Sequence, residues 1–200
     1  MAPRSKQTPD EIRDQIAKVA EDLFRRMGFT KTAVADIAAE LGMSPANVYR
    51  FFPSKHAIVE CICSRCLGEM EAEIRRVQQQ DLPVRTRIHA VFQTILRNHL
   101  DNFIEERRVH EMVLVAIEHN WQNILAHRER IRTTTAQLLR EGIADGSFAL
   151  HDPEEVSAIF LDCCARFCHP VLVAQSAEEE LDKGLQRTID FLLKAIEPRD

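Results

Sequence analysis

Residues 32–55 read TAVADIAAELGMSPANVYRFFPSK, and the middle of this stretch decides the architecture. Asp36 to Glu40 follow a helical pattern, Gly42 can take a positive φ, Met43 is an apolar staple, and Ser44 is placed to cap a second helix. Pro45 then occupies that helix's first position, where a missing N–H costs nothing. Two short helices joined by one glycine turn make a helix-turn-helix pattern. The second helix has no greasy face. It turns Pro45, Ala46, Asn47 and Arg50 outward while Val48 and Phe51 face a bundle, and such short side chains let a backbone approach the edges of bases in a DNA groove. Tyr49 and Lys55 are spaced to meet phosphates, as is the hydroxyl of Thr32 at the start of the first helix.

Toward the N-terminus, Thr8-Pro9-Asp10-Glu11 supplies a Thr cap, a proline at the first helical position and a glutamate that reaches back to the cap. Ile12, Ile16, Val19, Ala20, Leu23, Phe24 and Met27 then form one apolar stripe up to a stop at Gly28. Arg4 and Lys6 precede this helix, either as a minor-groove or phosphate arm or as a plain tail.

Toward the C-terminus, six glycines and eight prolines punctuate long stretches of 3.6-residue periodicity, which predicts an all-α chain of about nine helices. Ser54 caps a long helix to about residue 79, and others follow over about 84–101, 104–118 and 121–144, the last fraying at Gly142 and Gly146. Asp152-Pro153-Glu154-Glu155 opens a helix running through Phe167, and Ser176-Ala177-Glu178-Glu179 opens the final one. The division expected is a helix-turn-helix head over residues 1–53 and a helical body over 54–200.

Charge follows the same division. The chain carries a net charge of −5, but residues 1–56 hold nine Lys/Arg against seven Asp/Glu, leaving −7 for the remainder. A mildly basic head on an acidic body confines phosphate binding to the head. With 45% apolar and 6% aromatic residues, no signal-peptide pattern and no run of about 18 apolar residues, the expectation is a soluble, cytoplasmic protein. The six cysteines, at 61, 63, 66, 163, 164 and 168, lie in helical patterns and are expected reduced. Cys63/Cys66 and Cys164/Cys168, with His169 beside the latter, share helical faces and would suit a metal or thiol sensor only if two helices met there; buried packing is the simpler reading, and neither metal nor cofactor is expected. His110-Glu111-Met112-Val113-Leu114 starts like a zinc-protease helix but has Leu114 where the second histidine is needed. No phosphate loop or serine elbow occurs, so no enzyme is expected.

The head has a known likeness. Phe24, Gly28, Phe29, Thr32, Ile37, Ala38, Gly42, Ser44, Tyr49, Phe52, Lys55 and Ile58 stand at the spacing of the DNA-binding head of the TetR family of transcriptional regulators (TetR/AcrR-type), which residues 12–58 resemble. Leu41 stands where alanine is more usual, and Arg50 where histidine or tyrosine often stands, a change that bears on the operator read. The resemblance implies a body that binds a small molecule and dimerises through its last two helices, and hence a ligand-responsive repressor, more than an activator, on a palindromic double-stranded operator. The DNA-binding set expected is Thr32, Ser44, Pro45, Ala46, Asn47, Tyr49, Arg50 and Lys55. Polar residues within apolar stripes, His89, His99, His110 and Asn120, suggest anchors for an amphipathic ligand. The pocket set expected is Phe92, His99, Phe103, Met112, Trp121, Leu125, Phe160 and Phe167. The rival expectation is a small-molecule or metal/thiol-sensing protein whose head is only a packing unit.

Overall fold

Caps and stops decide where each helix begins and ends. The computed structural model describes residues 8–101, 114 and 115, 122–176 and 180–198. Among them lie ten helices and no strand: α1 (Pro9–Met27), α2 (Val34–Glu40), α3 (Pro45–Phe51), α4 (Lys55–Gln78), α5 (Val84–His99), α6 (Gln122–Ala144), α7 (Pro153–Cys163), α8 (Ala165–Cys168), α9 (Pro170–Gln175) and α10 (Leu181–Ala195). Most of the helix expected over 104–118 lies outside the described residues; Leu114 and Val115 are helical.

Backbone proximity separates two compact units at Cys66/Leu67, within α4. In the first, α1 starts on the capping box read from sequence: Glu11 N–H donates to Thr8 Oγ1 at 3.2 Å and Thr8 N–H to Glu11 Oε2 at 2.7 Å. Its stripe buries Ile16, Ala17, Ala20, Leu23 and Phe24, and Phe29, Ile37, Ala38, Val48, Phe52 and Ile58 of the same unit are buried too. Phe24 and Phe29 meet edge to face at 5.5 Å.

In the second unit, α5 contributes Ile88, Val91, Phe92, Ile95 and Leu96 to one core, α6 contributes Ile131, Leu138 and Leu139, and α10 contributes Leu185, Ile189 and Leu193. The concentrated stripe on α10 therefore serves this unit's own core, while Phe191 on the same helix is 74% exposed.

Three expectations need correction. The single helix predicted from Pro153 through Phe167 is two pieces, α7 and α8: it breaks at Cys164, which leaves helical geometry at φ −89°, ψ 2°. Beyond the predicted span the chain breaks again at His169, whose extended φ −101°, ψ 118° is the geometry a following proline imposes. The final helix starts at Leu181, not at 176; Ser176 closes the turn after α9, and 177–179 lie outside the described residues. Gly142 marks no fraying, because α6 runs through it to Ala144 and the Phe148 ring occupies the space a Cβ there would need, 2.2 Å from Phe148 Cδ2.

Candidate nucleic-acid interface and the buried polar groups

The turn between α2 and α3 is built from backbone bonds that the sequence specifies. Gly42 sits at φ 62°, and with it Met43 N–H reaches Ala38 O at 2.8 Å and Gly42 N–H reaches Ala39 O at 3.1 Å, the paired bonds of a Schellman stop. At the other end of α2, Asp36 Oδ2 accepts from Ala33 N–H at 2.8 Å. Ser44 Oγ accepts from Asn47 N–H at 3.3 Å and so caps α3, with Pro45 following.

What α3 shows to solvent follows from this turn. Val48 is fully buried, whereas Ser44, Pro45, Ala46, Tyr49 and Arg50 are exposed and Asn47 is half-buried. Six of the eight residues expected to meet DNA are thus on or next to one short helix. No acidic residue lies in Pro45–Phe51, so nothing on the helix itself opposes a phosphate.

Thr32 and Lys55 stand differently. The Thr32 side chain is 1% exposed, and its hydroxyl donates to Gly28 O at 2.8 Å, which ties the end of α1 to the start of α2. Lys55 Nζ donates to Phe29 O at 2.7 Å and to Thr32 O at 2.9 Å, and it lies 4.1 Å over the Phe29 ring. Partial burial lowers its pKa from the ordinary 10.5. An ammonium has three N–H groups, and the Phe29 and Thr32 carbonyls take two of them. Sequence reading found these residues by spacing but missed their internal bonds, because the acceptors are backbone carbonyls that no residue type announces.

Among the body residues expected to line a pocket, Phe92, Phe160 and Phe167 are buried in one core, with the Phe92 and Phe160 rings 6.1 Å apart, and His99 is buried as well. Leu125 is 45% exposed, outside that core. Phe103, Met112 and Trp121, like His110 and Asn120, lie outside the described residues. His89 does not turn inward: its Nε2 pairs with Asp190 Oδ1 on α10 at 2.9 Å.

The inward polar groups are His99, His127 and Glu71. Cys168 O can only accept, so His99 Nε2 carries the proton in their 2.9 Å bond. Burial pushes the His99 imidazole down to about 4, with the nearby His127 and His169 adding to the effect, and it is neutral at pH 7. His127 Nδ1 meets Glu71 Oε1 at 2.8 Å, and Arg130 donates to the same oxygen at 2.8 Å. Burial lowers the His127 pKa despite the carboxylate. For Glu71 burial pulls upward, but hydrogen bonds from Arg130 and His127 outweigh it and hold the carboxyl below its ordinary value. Sequence reading missed Glu71, His127 and Arg130, for α4 and α6 meet here across 56 positions. An open concavity of about 220 Å³ lies elsewhere on α6 and beside α7, lined by Leu125, Arg128, Glu129, Arg132 and Leu161.

The cysteines are free thiols. Burial, aided by neighbouring Cys66, Glu21 and Glu60, pushes Cys63 up to about 12; burial does the same to Cys164, and Cys168 stands well above its ordinary value. Such thiols stay protonated at neutral pH, the form that neither attacks nor ligates.

Known proteins match both units. The family model of bacterial regulatory proteins of the tetR family matches residues 16–62, and that of the tetracyclin repressor-like C-terminal domain matches residues 84–189. The nucleoid occlusion factor SlmA of Haemophilus influenzae is 36% identical over 96 residues, which are 46% of this chain and 42% of that relative. The match therefore spans less than half the length of this curated relative. A TetR/AcrR-family regulator from Thermobifida fusca superposes with a TM-score of 0.71 at 22% identity, over 94% of this chain and all of its own. Thermus thermophilus FadR, a transcriptional repressor solved with lauroyl-CoA, superposes at 0.66 and 18% identity, over 94% of this chain and 96% of its own. At these identities the solved chains speak for the fold.

Proposed function

The chain belongs to the TetR family of bacterial regulatory proteins, and from that premise we propose that it is a homodimeric, ligand-responsive DNA-binding regulator of transcription, a repressor that a small molecule releases from its operator. The observation that carries this reading is the exposed face of α3, a capped and proline-started helix showing Pro45, Ala46, Asn47, Tyr49 and Arg50 to solvent. Asn47 and Arg50 have the donors and acceptors to read base edges in the major groove; Tyr49, and Lys55 through its third N–H, hold phosphates. The protein acts by binding, without catalysis. No helix among the described residues is long and apolar enough to cross a membrane, which fits a cytoplasmic site of action.

The second copy is supported by Phe191, Ile159 and Leu172, exposed apolar residues at 74, 44 and 38% on α10, α7 and α9. A two-fold dimer presents two recognition helices to two half-sites, so the operator is palindromic. The effector is a small amphipathic molecule: the body's core holds the apolar Phe92, Phe160 and Phe167, and His99 and His127 are buried polar groups of the same unit, so a ligand admitted to that unit meets both kinds of side chain. The lauroyl-CoA held by the Thermus relative is of that chemical type. An effector that prefers the conformation with badly spaced recognition helices lowers operator affinity by that preference alone.

Salt-titrated binding to a selected duplex and to a scrambled one tests the reading. Tyr49→Ala weakens both and lowers the salt slope of both, while Asn47→Ala and Arg50→Ala cost about 1–3 kcal/mol at one or two base positions and relax the preference there. Wild-type affinity in all three variants would sink the assignment of α3 to the groove.

A further inference from the structure

The recognition helix has seven residues, far fewer than an isolated helix needs to hold its shape in water, so its direction is set by what grips its ends. Ser44 grips the first turn. At the other end stands a residue of α1: Arg13 NH1 donates to Phe51 O, the last carbonyl of α3, at 2.5 Å. The same guanidinium lies 4.4 Å over the ring of Phe52, which is 1% exposed. Arg13 is half-buried and 38 positions from its acceptor, so this is a tertiary bond and no local cap. A cation at the carbonyl end also complements the helix dipole. The flat, forked guanidinium suits both contacts at once, stacking on a ring while an N–H points along its plane to a carbonyl; an ammonium has no plane to lay on the ring.

We propose that Arg13 is a positioning residue for DNA reading, which fixes the angle at which α3 enters the groove without touching the nucleic acid. The proposal rests on the function assigned above. A helix of this length spans about 10 Å, so releasing its C-terminal end and letting it tilt by about 10° moves that end by about 2 Å. Base-edge hydrogen bonds are lost over such a distance, because they weaken steeply beyond about 3.2 Å. Attraction to phosphates decays over a Debye length of about 8–10 Å and survives it. Loss of Arg13 therefore strikes selectivity before affinity.

The test uses the full chain and two probes: the duplex that the wild-type protein enriches from a random-sequence pool, and a scrambled duplex of the same composition. Arg13→Met keeps the apolar stem, and Arg13→Lys keeps the charge without the fork. Affinities are compared per folded molecule, well below each variant's melting temperature. Expected is a fall of at least tenfold in the ratio of selected to scrambled affinity for Arg13→Met, an unchanged salt slope on the scrambled duplex, and only partial recovery by Arg13→Lys. Equal loss on both duplexes with a shallower salt slope would make Arg13 a phosphate contact and overturn the proposal. A lower melting temperature with the ratio intact in both variants would make it packing only. A wild-type protein that enriches no duplex would remove the DNA-reading function and this role with it.

Discussion

The head and the body are built from similar apolar cores and opposite uses of polar side chains. Phe24 in one and Phe92 in the other are fully buried. In the head, however, polar groups close the ends of short helices or face solvent: Thr8, Asp36 and Ser44 cap, and Tyr49 and Arg50 are exposed. In the body, Glu71, His99 and His127 turn inward and bond across elements, Glu71 of α4 to His127 of α6 and His99 of α5 to the Cys168 carbonyl of α8. The difference shows what each unit must resist. Short helices need their ends held, whereas polar groups desolvated within an apolar core need partners from other elements.

The comparison breaks most readily at its shared term. Phe24→Ala and Phe92→Ala should each cost about 3–5 kcal/mol in urea unfolding at pH 7, being equally buried large-to-small changes. A difference between them above about 2 kcal/mol would mean that the cores are not alike.

The next effect belongs to the body alone. The His99 imidazole is held near 4 in the folded chain against an ordinary 6.5, so the unfolded chain takes up the proton first. The stability it contributes is complete above pH 6.5 and falls as pH drops toward 4, by up to about 3 kcal/mol. His127, lowered by burial, acts in the same direction, and Glu71, lowered by its partners, adds a loss below its ordinary 4.5. Unfolding free energies measured from pH 7.5 to 4 should slope, and His99→Leu should flatten the slope while reducing stability at pH 7. An identical slope in that variant would remove His99 from the acid response.

Smaller changes sharpen the contrast. Gly142→Ala gains helix propensity but drives a methyl into the Phe148 ring, for a net loss of about 1–2 kcal/mol by thermal melting. Ser44→Ala removes a cap and should cost about 1 kcal/mol, equally at pH 5 and pH 7, with weaker DNA binding as its main consequence.

How much could be read from the chain follows the same line. The capping box at Thr8, the Gly42 stop and the Ser44 cap are legible because each donor and acceptor lies within five residues of its partner. So is the outward face of α3. The clamps at Lys55 and Arg13 are illegible, since their acceptors are carbonyls 23 to 38 positions away. His99, chosen from its place in a stripe, proved buried, but nothing local pointed to Cys168 O, 69 positions distant. His89, chosen by the same rule, pairs with Asp190 instead, because one residue's rotation on a helix separates an inward from an outward side chain.

Pro170 and His99 are tied by chemistry across that distance. The proline halts the helix before it, and in the unbroken helix that a non-proline would allow, Cys168 O would accept from the amide four residues on. Instead the imidazole of His99 supplies the donor. The two positions should thus behave as a single heritable trait: substitution of His99 alone strands a carbonyl, while substitution of both lets the backbone close the gap itself. A double-mutant cycle would show strong non-additivity, and related chains should carry the proline and the imidazole together or neither.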